Sequence, residues 1–167
     1  MPDALSIDVI VESPLWAAQP EADAVLRKAV NEAARVVSTK PAELAIVLTD
    51  DSSIRRLNRD WRSIDRPTNV LSFPAHRPSA SAAEQIGGLR VPLGDIVIAY
   101  ETTAEEARAE AKPFADHLAH LAVHGFLHLV GHDHEADEEA EAMEALERAI
   151  LARIGIADPY AARDQRP

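Results

Sequence analysis

The chain has 167 residues, which fits one domain and is long enough to bury a hydrophobic core without disulfides. It contains no cysteine, so thiolate ligands are excluded, and no uncharged apolar run approaches the ~20 residues that a membrane-spanning helix needs. The formal net charge of -11 argues against tight nonspecific binding to nucleic acid, although it permits a local basic site. The first twelve residues carry no basic segment, so we expect no secretory signal and a cytoplasmic protein.

Predicted strands and helices alternate in the first half of the chain. β-Branched residues predict a strand over 7–11, and apolar residues at helical spacing predict an amphipathic helix over 21–37. Helix-capping residues at 49–52 predict the start of a second helix. After the first helix, the sequence thus predicts three elements: a strand over 44–48, this second helix, which ends near residue 64, and a strand over 69–73.

The second half begins with residues 75–92, whose proline, serine, alanine and glycine content predicts a surface loop. The elements that follow are a strand over 95–100, a helix over 102–111, a helix with Pro113 in its first turn, and a helix over 135–154. This order predicts the α/β class (α+β type), with a small mixed sheet of about four strands packed with about five helices. We expect a single domain over residues 1–156 and a flexible tail over 157–167.

Six of the seven histidines lie between residues 117 and 134, and three of them have the spacing of metal ligands. His124 and His128 share one face of a helix because they are four residues apart. Gly131 can adopt the left-handed conformation that ends helices, which lets His134 return toward the other two. Three converging imidazoles suit Zn²⁺ and leave one coordination position open, as in catalytic rather than structural zinc sites.

The remaining histidines of this segment fit a metal site less well. His120, His124 and His128 would span about 12 Å along a straight helix, which exceeds the reach of one zinc with ~2.1 Å bonds. We therefore expect His120 behind the ligands or in the core, and His117 on the helix surface. His132 is expected on the solvent side, but it remains an alternative to His134 as the third ligand.

The same histidine spacing occurs on the zinc helix of metalloproteases, where a glutamate after the first histidine is the general base. Here that position is Gly125, which cannot transfer a proton. The pattern thus predicts a metal-binding helix like that of a protease without the protease base. Asp133 is expected to cap the final helix, with orientation of a ligand as the alternative.

Arginines form the densest basic cluster of this acidic chain, at positions Arg55, Arg56, Arg59, Arg62 and Arg66. The opposite face of their predicted helix is apolar and comprises Ile54, Leu57, Trp61 and Ile64. Arg59 and Arg62 are the candidates for phosphate binding, because they precede the strand over 69–73 and a guanidinium can contact phosphate through two nitrogens. A metal centre beside such an arginine is the minimal equipment for phosphodiester hydrolysis.

Three sequence blocks resemble the YbeY family of bacterial endoribonucleases. They are His124-Gly-Phe-Leu-His-Leu-Val-Gly-His-Asp-His134, the segment from Leu57-Asn58 through Arg62 to Pro67-Thr-Asn-Val-Leu-Ser-Phe-Pro74, and Leu93-Gly-Asp-Ile-Val-Ile98. Their order and spacing fit the family over roughly residues 5–155. His132 stands where many members have tyrosine, a variation that leaves the metal assignment intact.

The resemblance implies a single-domain α/β fold with one Zn²⁺ held by His124, His128 and His134, and a functionally important arginine at Arg62. It implies cleavage of single-stranded RNA, with roles in 3′-end maturation of small-subunit (16S) ribosomal RNA and in ribosome quality control. The expected partners are thus single-stranded RNA, ribosomal RNA and the small ribosomal subunit, with no membrane. A zinc peptidase with its base elsewhere and a non-catalytic ribosome-assembly factor are the alternatives. No side chain in the histidine motif is an obvious general base.

Overall fold

The computed structural model describes residues 5–75 and 90–161. It contains a four-stranded sheet in the order β1-β2-β4-β3, formed by β1 (Leu5–Val11), β2 (Ala42–Thr49), β3 (Val70–Pro74) and β4 (Val91–Ala99). The pairs β1–β2 and β2–β4 are parallel, whereas β3 runs antiparallel to β4 at the edge. The predicted small mixed sheet is confirmed.

Five α-helices lie in the described ranges, as predicted for the α/β class: α1 (Ala22–Val36), α2 (Asp51–Arg62), α3 (Tyr100–Ala109), α4 (Phe114–Leu129) and α5 (Asp137–Arg153). A short 3-10 helix (Pro14–Ala18) follows β1. Among the residues that the structure covers, no helix combines the length and apolarity that crossing a bilayer requires.

The helices occupy both faces of the sheet. Residues of α1, α4 and α5 form the main core with β1, β2 and β4, and Leu26, Phe126 and Ile150 are fully buried there. A smaller cluster on the other face joins Ile54 of α2 to Leu71 of β3. Helix α4 packs directly on β3 and β4, while Trp61 at the end of α2 contacts Phe73 of the edge strand β3.

The predicted loop over 75–92 is wrong at its end, because β4 begins at Val91. Val91 and Pro92 pair with Ala42 and Glu43 of β2, so the ladder of the neighbouring strand outweighs the local composition. Residues 76–89 of the predicted loop lie outside the described residues.

The segment after α5 returns to the helical layer. Ile156 packs against the main core, and the Lys112 ammonium donates to the carbonyl of Pro159 over 3.4 Å. Arg148 pairs with Asp158 over 3.1 Å. The flexible tail therefore stays a prediction for residues 162–167, which the structure does not describe, and the domain boundary near 156 also stays a prediction.

Candidate metal centre

Helix α4 brings two of the predicted ligands together, and the loop after it supplies the third. The Nε2 atoms of His124 and His128 are 3.1 Å apart. The ring centroid of His134 lies 5.6 Å from that of His124 and 5.0 Å from that of His128. One ring nitrogen from each residue lies within 4.8 Å of the others. Ligands of a tetrahedral zinc with ~2.1 Å bonds are about 3.4 Å apart, so this donor set fits such an ion after small side-chain movements.

Gly131 ends α4 in the way that the sequence predicted. Its φ is +102°, and its N–H donates to the carbonyl of His128 over 3.1 Å. The N–H of His132 donates to the carbonyl of Leu127 over 2.9 Å, which completes the pair of bonds found at helix ends with a left-handed glycine. This turn brings His134 back to α4, while His132 lines the same cavity outside the three-histidine cluster.

Asp133 does not cap the final helix, so that prediction is wrong. Helix α5 starts after Ala136, and this N-cap residue makes no side-chain capping hydrogen bond. The Asp133 carboxylate instead accepts from the N–H of His134 over 2.7 Å. Asp133 lies three residues before the cap position of α5, so it cannot cap that helix. Its hydrogen bond stays within the loop and fixes the backbone of the third histidine.

A buried carboxylate on α5 lies behind His124. His124 Nδ1 donates to Glu147 Oε1 over 2.7 Å, and the Tyr160 hydroxyl donates to Glu147 Oε2 over 2.5 Å. His120 Nε2 lies 3.2 Å from the Tyr160 oxygen, as expected for a histidine behind the ligands. Burial raises the pKa of Glu147, but hydrogen bonds from His120, His124 and Tyr160 outweigh it and hold the pKa at about 2. The carboxylate is therefore ionised at neutral pH.

His128 is kept in the form that can bind a metal. Burial lowers its pKa, and the nearby charges of His124 and His134 lower it further. A neutral imidazole offers a lone pair to a cation, whereas a protonated one does not.

His117 is buried, which corrects the prediction that it lies on the helix surface. It is 4% exposed, and its Nε2 lies 2.9 Å from Glu106 Oε1 of α3. Helix α3 covers this side of α4, so His117 is buried between the two helices and pairs with a carboxylate of α3.

The sheet occupies the space beside Gly125. The Ser72 hydroxyl donates to the Gly125 carbonyl over 3.1 Å, which ties β3 to α4. A Cβ atom at Gly125 would lie 2.9 Å from Cγ2 of Ile96 and 3.2 Å from Oγ of Ser72. A larger side chain at this position, where metalloproteases carry their base, would therefore have to displace the side chain of Ile96.

Arg62 lines the same cavity, of about 490 Å³, as the three histidines. Its Nη1 donates to Asn58 Oδ1 over 3.3 Å, and the buried Asn58 amide donates to the carbonyl of Arg66 over 2.9 Å. Arg59 instead pairs with Asp60 over 3.2 Å and does not line the cavity. Of the two arginines predicted to bind phosphate, the structure brings only Arg62 to the histidines.

Trp61 departs from the predicted apolar face of α2, because 71% of it is exposed. Its ring contacts Phe73 edge-on with 5.9 Å between centroids. Ser63 has a left-handed conformation that ends α2, so Trp61 lies in the last turn of the helix. Ile54 and Leu57 do pack against the sheet as expected.

Comparison with known proteins decides the family. Residues 13–155 match the family model described as Endoribonuclease YbeY. The chain belongs to the YbeY family. Its predicted enzyme class, an endoribonuclease, is confirmed by that membership, and RNA is therefore its substrate class.

Curated YbeY relatives are similar over nearly the whole chain. Endoribonuclease YbeY of Rhodopseudomonas palustris (strain BisA53) is 55% identical over 160 residues, which cover 95% of this chain and 91% of the relative. Endoribonuclease YbeY of Bradyrhizobium diazoefficiens is 54% identical over 164 residues, covering 97% and 88%. The solution structure of TM1509 from Thermotoga maritima is similar with a TM-score of 0.51 at 23% identity, covering 89% of this chain and 91% of that one. This last likeness supports the fold alone.

Sequence reasoning missed Glu147 and Tyr160. A signal for Glu147 was present, because it follows Met143 by four residues and precedes Ile150 by three. A carboxylate in the apolar stripe of a helix must have a buried partner. Tyr160 had no comparable signal, since it lies in a segment without periodicity.

Proposed function

We propose that the chain is a zinc-dependent endoribonuclease specific for single strands, acting in the cytoplasm in 3′-end maturation of 16S ribosomal RNA and in ribosome quality control. The observation that carries the proposal is the cavity in which Arg62 faces the three-histidine cluster. A cation site and a guanidinium on one cavity suit a phosphodiester, whose reaction develops negative charge on the phosphoryl oxygens. Family membership supports the RNA substrate.

Zinc is the metal that the donor set favours. Three imidazoles and no thiolate form the ligand set of a catalytic zinc site with an open position, and His124, His128 and His134 would hold the ion. When bound, zinc supplies a Lewis acid for a phosphoryl oxygen and lowers the pKa of water toward ~7. The lowered pKa of His128 favours the neutral ring that this role requires.

Arg62 would bind the phosphate and stabilise its charge. Asn58 orients the guanidinium from within α2, and the exposed position of Arg62 at the end of that helix leaves its remaining donors available to a ligand. Gly125 cannot serve as a base, and a glutamate there would have to displace the Ile96 side chain, which counts against a peptidase that uses this position.

Cleavage within an RNA strand requires space on both sides of the phosphate. A second cavity, of about 340 Å³, shares Arg62, His124 and His134 with the first and extends toward Tyr160. The two cavities together would accommodate nucleotides on either side of a phosphate held at Arg62. Because the net charge of -11 opposes free RNA, we propose that the small ribosomal subunit presents the strand to this site.

The test compares Arg62→Ala with Arg59→Ala, a matched exposed arginine on the same helix. Cleavage of a structured RNA with single-stranded segments is measured beside zinc content. We expect Arg62→Ala to keep one zinc per chain and lose about 100-fold in rate, since removing one donor to a developing charge has that effect. Arg59→Ala should cleave like the wild type. Wild-type cleavage by Arg62→Ala would refute its catalytic role.

The product ends separate two chemistries of cleavage. A 2′,3′-cyclic phosphate would show that the RNA 2′-hydroxyl attacks, whereas its absence from the earliest products supports attack by water. A parallel assay with casein tests the peptidase alternative, and zinc-dependent casein hydrolysis without RNA cleavage would overturn the proposal.

A further inference from the structure

We propose that Glu147 is the positioning residue of the metal centre, and that Tyr160 holds the Glu147 carboxylate in place. The carboxylate fixes His124 in the tautomer whose Nε2 faces the other ligands. This inference rests on the proposed binding of a metal by His124, His128 and His134, and it adds two residues from α5 and the segment after it.

The first step of the argument is the burial of Glu147. Its side chain is 1% exposed, between the buried Met143 and Ile150 on the inner face of α5. A carboxylate in such a place is costly unless both oxygens are satisfied. Oε1 accepts from His124 over 2.7 Å, and Oε2 accepts from Tyr160 over 2.5 Å. Both oxygens are therefore used, one by a predicted metal ligand.

The tautomer of His124 follows from this bond. Oε1 of Glu147 lies 2.7 Å from Nδ1 of His124 while Oε2 accepts from the Tyr160 hydroxyl, so Nδ1 is the donor of this pair and carries the hydrogen. In the neutral ring Nε2 then carries a lone pair, and it lies 3.1 Å from Nε2 of His128. Two ring nitrogens so close require a proton or a cation between them. A carboxylate behind the ligating histidine is the common arrangement that orients such rings and raises their basicity.

The partners of Glu147 distinguish it from a structural ion pair. Glu32, another buried carboxylate, pairs with Arg35 over 2.8 Å and with Arg153 over 2.5 Å. In the described parts of the chain, the hydrogen-bond partners of Glu147 are instead a tyrosine and histidines, which carry no permanent charge. A cation held by His124 would supply a countercharge to Glu147 through the ring.

Tyr160 is itself held in place by the segment that follows α5. The Arg148 guanidinium lies 5.3 Å from the centre of its ring and pairs with Asp158, while Lys112 bonds the carbonyl of Pro159. The hydroxyl thereby has a fixed position against Oε2 of Glu147. Tyr160 supports the carboxylate in the same way that the carboxylate supports His124.

The experiment measures the zinc dissociation constant by competition with a chromophoric chelator. Glu147→Gln keeps the shape of the side chain and removes its charge, and we expect zinc binding about 10–100-fold weaker. Tyr160→Phe removes only the hydroxyl, and a smaller loss of about 2–10-fold is expected. Glu32→Gln and Tyr100→Phe are the matched controls, since Glu32 pairs with arginines and Tyr100 packs on Trp16 and Phe114, and both should bind zinc like the wild type.

A second readout reports the tautomer directly. Nitrogen NMR of the metal-free protein should show His124 protonated at Nδ1 in the wild type and both tautomers in Glu147→Gln. A residue that only stabilises the fold would change neither this spectrum nor the zinc affinity. Folded Glu147→Gln with unchanged affinity would overturn the proposal, and if that variant does not fold, unchanged affinity in Tyr160→Phe would do so. Absence of zinc binding by the wild type would instead refute the proposed metal centre.

Discussion

Helix α4 carries two histidine–carboxylate pairs that look alike but differ in what lies on the far side of the ring. His117 bonds Glu106 over 2.9 Å, and His124 bonds Glu147 over 2.7 Å. Among the described residues, the second nitrogen of His117 has no hydrogen-bond partner and lies 3.9 Å from a carboxylate oxygen of Glu110, whereas that of His124 faces two more histidines. A carboxylate behind a histidine therefore does not indicate a metal ligand by itself. The environment of the other ring nitrogen separates an interhelical link from a metal site.

The largest expected effect separates the two pairs by metal content. His124→Ala should abolish stoichiometric zinc, because two remaining imidazoles hold the ion far less tightly than three. His117→Ala, the matched change on the same helix, should retain one zinc per chain. Elemental analysis of both purified variants measures this. Loss of zinc from His117→Ala in a folded protein would remove the distinction between the pairs.

Removal of the metal should lower the stability of the fold, and this effect should depend on the His124–Glu147 pair and not on the His117–Glu106 pair. At a free zinc concentration 100 times the dissociation constant, binding stabilises the fold by about 2.7 kcal/mol relative to the chelated protein. Thermal unfolding with and without chelator should show this difference in the wild type and in Glu106→Gln, but not in His124→Ala. A zinc-dependent shift that survives in His124→Ala would mean that the ion binds elsewhere.

Gly125→Ala tests whether the sheet fixes the position of the helix that both pairs share. The new Cβ would lie 2.9 Å from Cγ2 of Ile96, and overpacking of this kind costs about 1–3 kcal/mol. The higher helix propensity of alanine offsets about 1 kcal/mol of this cost, so we expect a net loss of about 0–2 kcal/mol in urea unfolding. The double variant with Ile96→Ala should lose less than the sum of the single changes. Strict additivity would show that the contact is not the cause.

The smallest expected effect is on the pH dependence of protein stability that arises from the His117–Glu106 pair. Burial raises the pKa of Glu106, but bonds from His117 and Asn69 outweigh it, so its pKa lies below the ordinary 4.5. A lowered folded pKa stabilises the protein above pH 4.5, and this contribution disappears as pH falls through the folded value. Because the side chain is partly exposed, the contribution is under about 1 kcal/mol. Glu106→Gln should flatten this part of the stability curve and leave zinc affinity unchanged, and an unaltered curve would contradict the assignment.

Much of this fold can be predicted from local sequence patterns, and the predictions that are wrong have a common cause. The spacing of His124, His128 and Gly131 predicts the helix end that the structure shows, because those interactions are local. The burial of His117 and the exposure of Trp61 depend on which helix or strand covers a given turn, and periodicity within one helix carries no such information. Val91 likewise joins the sheet only because β2 extends beside it.

The site shows the same division between local and distant contacts. The three histidines are close in sequence and were recognised together, whereas Glu147 and Tyr160 reach His124 and His120 from other elements. The position before β3 selects Arg59 and Arg62 together, and only the family resemblance selects Arg62. The cavity that Arg62 shares with the histidines is a product of the tertiary fold. Residues that act through another residue are the ones that sequence patterns do not reveal.

The contact between Gly125 and Ile96 has a consequence for how such proteins can diverge. A mutation to glutamate at position 125 would install the base of a zinc peptidase only after displacing an isoleucine of the central strand. We expect such a change to reduce the stability of the fold unless the Ile96 side chain moves or is replaced by a smaller one. In this chain, the sheet as well as the metal site therefore limits which side chain position 125 can carry.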